Sequence, residues 1–139
     1  MDSANRLRRH ADYQILYKSG RKHFAKHMSY FVSPRISVES EGVRASAQDI
    51  ARGPRVGLTV GKVLGKAVDR NRIKRRLRAA VRQHIAVLES LDIDIALHPR
   101  KAVLDLEWSV LESEVGSVFR TITKMHSRGQ ISNAAQIES

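Results

Sequence analysis

No cysteine occurs in the 139 residues. That excludes disulfides, thiolate nucleophiles and cysteine-built zinc sites, and it fits a reducing cytoplasm. No run approaches the ~18 apolar residues of a membrane-spanning helix. The opening Met1-Asp2-Ser3-Ala4-Asn5-Arg6 lacks the apolar stretch of a secretory signal. The sequence therefore predicts a soluble, cytoplasmic protein with no membrane partner. Aromatic residues are few, with one Trp, three Tyr and three Phe, so each one in a polar setting carries weight. Acid is scarcest where base is richest. Residues 52–82 hold eleven Lys/Arg against the single Asp69, a block charge of +10 in a chain of net +11. Residues 1–35 carry +6, while 36–51 and 83–139 carry −2 and −3. With so little acid in reach, i,i+4 ion pairs cannot neutralise the block. Such a concentration of one sign answers a polyanionic partner.

What is present suits one domain. The hydrophobic fraction of 42% is enough for one modest core in a chain of this length. Residues 8–18 are predicted as a first helix, with Tyr13, Leu16 and Tyr17 at i, i+3, i+4 and Gly20 as its stop. Met28–Ser33 has strand character and is closed by Pro34, and a short strand around Lys22–Ala25 is weaker. Residues 37–53 are polar and acidic and are expected to form a surface loop. Arg55–Val60 is predicted as a strand. From Ala67 to Leu88, Ile73, Leu77, Val81, Ile85 and Leu88 form one helical stripe, and arginines occupy much of the remaining circumference. Ile93–Leu97 is a further strand, ended by Pro99. A last helix is expected over Asp105–Lys124, with Trp108, Leu111, Val115, Val118 or Phe119, and Ile122 facing inward. The expectation is a single α/β domain over 1–125, a two-layer α+β sandwich in the order α-β-β-β-α-β-α, followed by a loose tail over 126–139.

The chemistry concentrates in the segment from Val60 to Arg78. Gly61 and Gly65 loosen the strand-to-helix connection and let backbone approach a phosphate, and Lys62 and Lys66 place charge beside it. The spacing of a nucleotide-binding P-loop is absent. Guanidinium groups bind phosphate bidentately and stack on exposed bases, which suits structured RNA. Asn71, between two arginines, offers a donor and an acceptor to a base edge or a 2′-hydroxyl. The six histidines are scattered. His23 and His27 lie four apart but bracket a turn, so no metal site and no catalytic side chain is assigned.

Arg70-Asn71-Arg72-Ile73-Lys74-Arg75 with Leu77-Arg78 resembles the signature of the bacterial ribonuclease P protein subunit. Arg55-Val56-Gly57-Leu58-Thr59-Val60, Gly65, Ala67-Val68, Arg6-Leu7, Asp12-Tyr13, Tyr17 and Gly20 are similar to that family's pattern too. The resemblance covers roughly residues 5–124. It implies a mixed four-stranded sheet flanked by helices, with a left-handed crossover. It also implies that Lys66, Arg70, Asn71, Arg72, Lys74, Arg75 and Arg78 meet a catalytic RNA. Tyr13, Tyr17, Phe31, Arg55 and Lys62 would line a cleft for the single-stranded 5′ leader of precursor tRNA. The protein would assist endonucleolytic leader removal as an accessory subunit, with hydrolysis carried by the partner RNA and its Mg²⁺. No protein partner is implied. Taken on their residues alone, Tyr13 and Tyr17 are also compatible with plain core. Two positions depart from the family pattern: Val63 stands where a second Lys is usual, and His98 where Arg tends to precede the Pro. The first weakens leader or metal-linked contacts on this expectation; the second is expected to change little. The loop 37–53 is longer than usual. The alternative is a structural or ribosomal RNA-binding protein of similar fold, which needs the basic helix but no aromatic cleft.

Overall fold

A computed structural model of the chain describes residues 6, 7, 9–34 and 53–129. Within them the order is α1 (His10–Ser19), β1 (Arg21–Phe24), β2 (Met28–Pro34), β3 (Arg55–Leu58), α2 (Ala67–His84), β4 (Ile93–Pro99) and α3 (Trp108–Ser127). Short 3-10 turns at Lys62–Leu64, Ile85–Leu88 and Lys101–Leu104 join them. The strands form one mixed sheet in the order β1-β2-β4-β3. β1 and β2 are an antiparallel hairpin, β2 runs antiparallel to β4, and β3 runs parallel to β4 through the α2 crossover. The α+β class and element order agree with the sequence expectation. The expected loop 37–53 lies outside the described residues except for Gly53. So does the tail beyond 129, while His126 and Ser127 belong to the last turn of α3.

The central strand explains the layering. β4 sits between two neighbours, so its alternate residues must all find cover. Ile93, Ile95 and Leu97 point into the main core. There they meet Ile73, Leu77 and Val81 of α2 and Leu111, Val115, Phe119 and Ile122 of α3. Burying each such side chain is worth about 1.5–3 kcal/mol, so this face fixes both helices. Asp94, Ala96 and His98 point to the other face, where α1 lies. Ala96 joins Leu7 and Leu16 in a smaller cluster, with Tyr13 and Phe31 packed against it. One face of the sheet is thus covered by two helices, and the other by a single ten-residue helix.

Several element ends differ from expectation. α2 stops at His84, and Ile85 and Leu88 continue its stripe from the following 3-10 turn. α3 starts at Trp108, not Asp105, because Lys101–Leu104 forms its own turn. Trp108 is therefore the first residue of α3 and is 39% exposed, not inward-facing as the spacing suggested. β3 ends at Leu58. Its outer edge is partly covered by the N-terminal segment, where Arg6 bridges Val56 and the Leu7 N–H donates to the Val56 carbonyl at 3.0 Å. That covers an edge which would otherwise present unpaired backbone groups.

Candidate nucleic-acid interface

The thinly covered sheet face gathers the aromatics. Tyr13 and Tyr17 are one helical turn apart on α1, with ring centroids 6.1 Å apart. Tyr17 meets Phe31 of β2 edge-on at 4.9 Å. The pairing register places Phe31 opposite Ala96, one pleat from His98. His98 accordingly closes the cluster, with its ring 5.5 Å from Tyr17 and 5.4 Å from Phe31. The Tyr17 hydroxyl lies 2.7 Å from Thr59 Oγ1 and 3.0 Å from His98 Nε2. Tyr17 is 37% exposed, so part of its ring is open to solvent.

Tyr13 is placed by a glycine. Its hydroxyl donates to the Leu7 carbonyl at 3.2 Å, and its ring lies over Gly57 so closely that a Cβ there would overlap the phenol. Burial, and then Tyr17, push its pKa above the ordinary tyrosine value against smaller opposing effects from Leu58 and Arg78, so it stays neutral. Gly57→Ala should displace the Tyr13 ring and lower stability by about 1–3 kcal/mol, the usual range for overpacking. Denaturant unfolding checks this, and near-wild-type stability would show that the ring has room to move.

Beside these rings a groove of about 410 Å³ runs between α1, the end of β3 and α2. Tyr13 and Tyr17 form one wall, Thr59 and Gly61 the floor, and Lys74 of α2 the other side. Lys62 follows immediately and is exposed. Gly65, with φ +128°, turns the chain from this connection into α2, a conformation that L side chains rarely adopt. A larger hollow of about 550 Å³ lies on the far side, between the β1–β2 hairpin and α3. It presents Glu114, engaged by His27 through the backbone N–H at 2.8 Å and Nδ1 at 2.7 Å. The smaller groove, with its aromatics and cations, is the one suited to a nucleic-acid strand.

The predicted RNA-contacting residues divide into three groups. Lys66 at the N-cap of α2, and Asn71, Arg72 and Arg75 on it, are exposed, and among the described residues their side chains have no hydrogen bond or ion pair. Arg70, half-buried, donates to the Gly65 carbonyl at 3.2 Å and so braces the turn. Lys74 and Arg78, expected with the exposed set, lie toward the groove, Lys74 lining it and Arg78 acting electrostatically on Tyr13.

Arg55 is a correction. It was expected in the cleft lining, yet it is 2% exposed. Its Nε and Nη2 donate to the two carboxylate oxygens of Asp94 at 2.8 and 2.7 Å, and Nη1 reaches Asp12 at 3.4 Å. Arg9 Nε reaches the same Asp12 oxygen at 3.0 Å. Arg55 points to the α1 side of β3, where α1 covers it, and the carboxylates hold it there. It fastens α1 to the sheet and offers almost no exposed surface. His98 and Thr59 were missed as members of the site. Strand alternation puts His98 on the face of Asp94 and Ala96, but only the β2–β4 register shows that Phe31 shares that face.

Comparison with known proteins identifies the family and the fold. The sequence model of the family Ribonuclease P matches residues 1–123. The Ribonuclease P protein component of Finegoldia magna is 32% identical over 120 residues, 86% of this chain and 92% of that one. That of Thermobifida fusca is 34% identical over 131 residues, 93% of this chain and 82% of the other. The RNase P protein of Staphylococcus aureus has a similar fold, with TM-score 0.64 at 24% identity over 85% and 94% of the two chains. The Thermotoga maritima protein gives 0.65 at 20% identity over 84% and 96%. With a family match that spans almost all of its described residues, this chain belongs to the ribonuclease P protein component family.

Proposed function

We propose that the chain binds the catalytic RNA of ribonuclease P through the exposed face of α2, and the single-stranded 5′ leader of precursor tRNA through the aromatic groove. The observation that carries this reading is the separation of two surfaces with different chemistry. Lys66 at the N-cap of α2 and Asn71, Arg72 and Arg75 along it stand free, while Tyr13 and Tyr17 line a groove opposite Lys74, with Phe31 packed against Tyr17. A structured RNA presents phosphate and 2′-hydroxyls to the first. An unpaired strand presents base faces to the second, and stacking tolerates any base sequence. That tolerance suits leaders whose sequences differ among tRNAs.

Hydrolysis belongs to the partner RNA and its bound Mg²⁺ on this reading. Asp12 and Asp94 on the α1 side of the sheet are buried and engaged by Arg55 and Arg9, and no carboxylate lines the groove among the described residues. The absence of cysteine suits the cytoplasmic setting in which tRNA is processed.

Reconstitution with the catalytic RNA tests the assignment. Arg72→Ala together with Arg75→Ala should weaken RNA binding and reduce the slope of log affinity against log salt by up to ~0.9 for each phosphate left without its cation. The fold should survive, because both side chains are exposed and off the Ile73–Leu77–Val81 stripe. Leader removal should require the RNA. An unchanged affinity and slope would take α2 out of the RNA-binding surface, and cleavage by RNA-free protein would overturn the division of labour.

A further inference from the structure

His98 is the histidine of the aromatic cluster beside the groove, whose lining includes His10, and its surroundings let it work in both protonation states. When the ring is neutral, the Tyr17 hydroxyl donates to Nε2 and Thr59 donates to the Tyr17 oxygen. When the ring is protonated, Nε2–H donates to the Tyr17 oxygen and Tyr17 donates to Thr59 instead. The separations of 3.0 and 2.7 Å serve either direction. Protonation therefore leaves Tyr17 tethered while placing a positive charge against Tyr17 and Phe31, the two rings to either side.

We propose that His98 tunes the groove's affinity for an anionic single strand, as a specificity-determining residue whose protonation adds one cation to the strand-binding face. This rests on the groove being the leader site. The groups facing His98 support it. α1 contributes Tyr17, β1 contributes Lys22, and β2 contributes Phe31 and the register partner Ser29. The chain after β3 contributes Thr59, through Tyr17. On β4 itself, Asp94 is engaged by Arg55, so no free carboxylate among these groups stabilises an imidazolium. Burial, and then Lys22, hold His98 below the ordinary histidine pKa in the free protein. A bound phosphate supplies the missing counter-charge and raises that pKa. Affinity should then rise as pH falls through the bound-state pKa, and level off below the free-state pKa.

The test compares the reconstituted complex bound to precursor tRNA and to leaderless tRNA, read by stopped-flow before cleavage. The ratio of the two affinities removes pH effects common to both ligands. It should increase about fivefold between pH 8.0 and pH 5.5, the size of one partly exposed charge pair. His98→Gln should flatten that profile at its high-pH level, and His98→Arg should flatten it at its low-pH level, with thermal melting confirming that both variants fold. A His98→Gln profile as steep as the wild type would overturn the inference and leave the leader site standing. A ratio near one at every pH would sink the leader reading and the inference together.

Discussion

Arg55→Ala should lower the unfolding free energy by about 3–5 kcal/mol, the range found when one member of a buried ion pair is removed. The guanidinium is 2% exposed, and its two carboxylate partners are nearly as deep, with Asp12 at 4% and Asp94 at 6%. Truncation leaves both acids inside without the fork that engages them from β3. Asp12 keeps Arg9 as a partner, so much of the loss is the cost of leaving Asp94 buried without its two-pronged guanidinium contact and is not the net worth of the pair. For a domain of this size the melting temperature should fall by about 10 °C or more. Because Asp12 lies on α1, that helix should loosen first, and leader affinity should fall with stability. Replacing the group of charges by well-packed apolar side chains should recover much of the stability, because desolvation offsets most of a buried pair's attraction. A melting temperature within a degree or two of wild type for Arg55→Ala would show that water reaches the acids, and that the network does not seat α1.

The fate of Arg55 shows where the sequence stops being informative. The run Arg55–Val60 marks a strand, which ends at Leu58, but a strand pattern does not say which face is covered by what. Cover came from Asp12, forty-three residues earlier, and Asp94, thirty-nine later. A lone Arg at the start of a strand is more often at the surface than inside. The main core was legible because α2 and α3 carry long stripes with a helical period, the strongest local signal a sequence holds. The i, i+4 spacing of Tyr13 and Tyr17 puts them on one helix face, but their candidacy as a cleft, and that of Phe31, came from the family resemblance. His98 was not legible, because its membership depends on Ser29 pairing with it and on Phe31 sitting one pleat away. Register is a long-range property, and no local pattern encodes it. Lys74 and Arg78 divided from their neighbours for a similar reason: helical spacing gave their angle, but only the position of α1 decided which angle faces the groove.

Tyr17→Ala carries the second large effect, and its distinguishing mark is selectivity between ligands. The ring is edge-on to Phe31 at 4.9 Å and more exposed than Tyr13, so part of it is open to a base. Losing one base–aromatic stack costs ~1–3 kcal/mol, roughly a five- to hundred-fold loss of affinity. The loss should appear for precursor tRNA with a leader of several nucleotides and be absent for mature tRNA. Affinity for the catalytic RNA should hardly change, because Lys66 at the N-cap of α2 and Asn71, Arg72 and Arg75 on it are not part of the groove lining. Tyr17→Phe separates the ring from its hydroxyl. It keeps the stack and removes the hydrogen bonds to Thr59 and His98, so it should retain most of the leader affinity while weakening the pH response assigned to His98. Stability decides between this account and a packing role. If Tyr17→Ala lowers the melting temperature sharply and weakens both tRNAs alike, the ring belongs to the small cluster of Leu7, Leu16 and Ala96. The leader must then bind elsewhere.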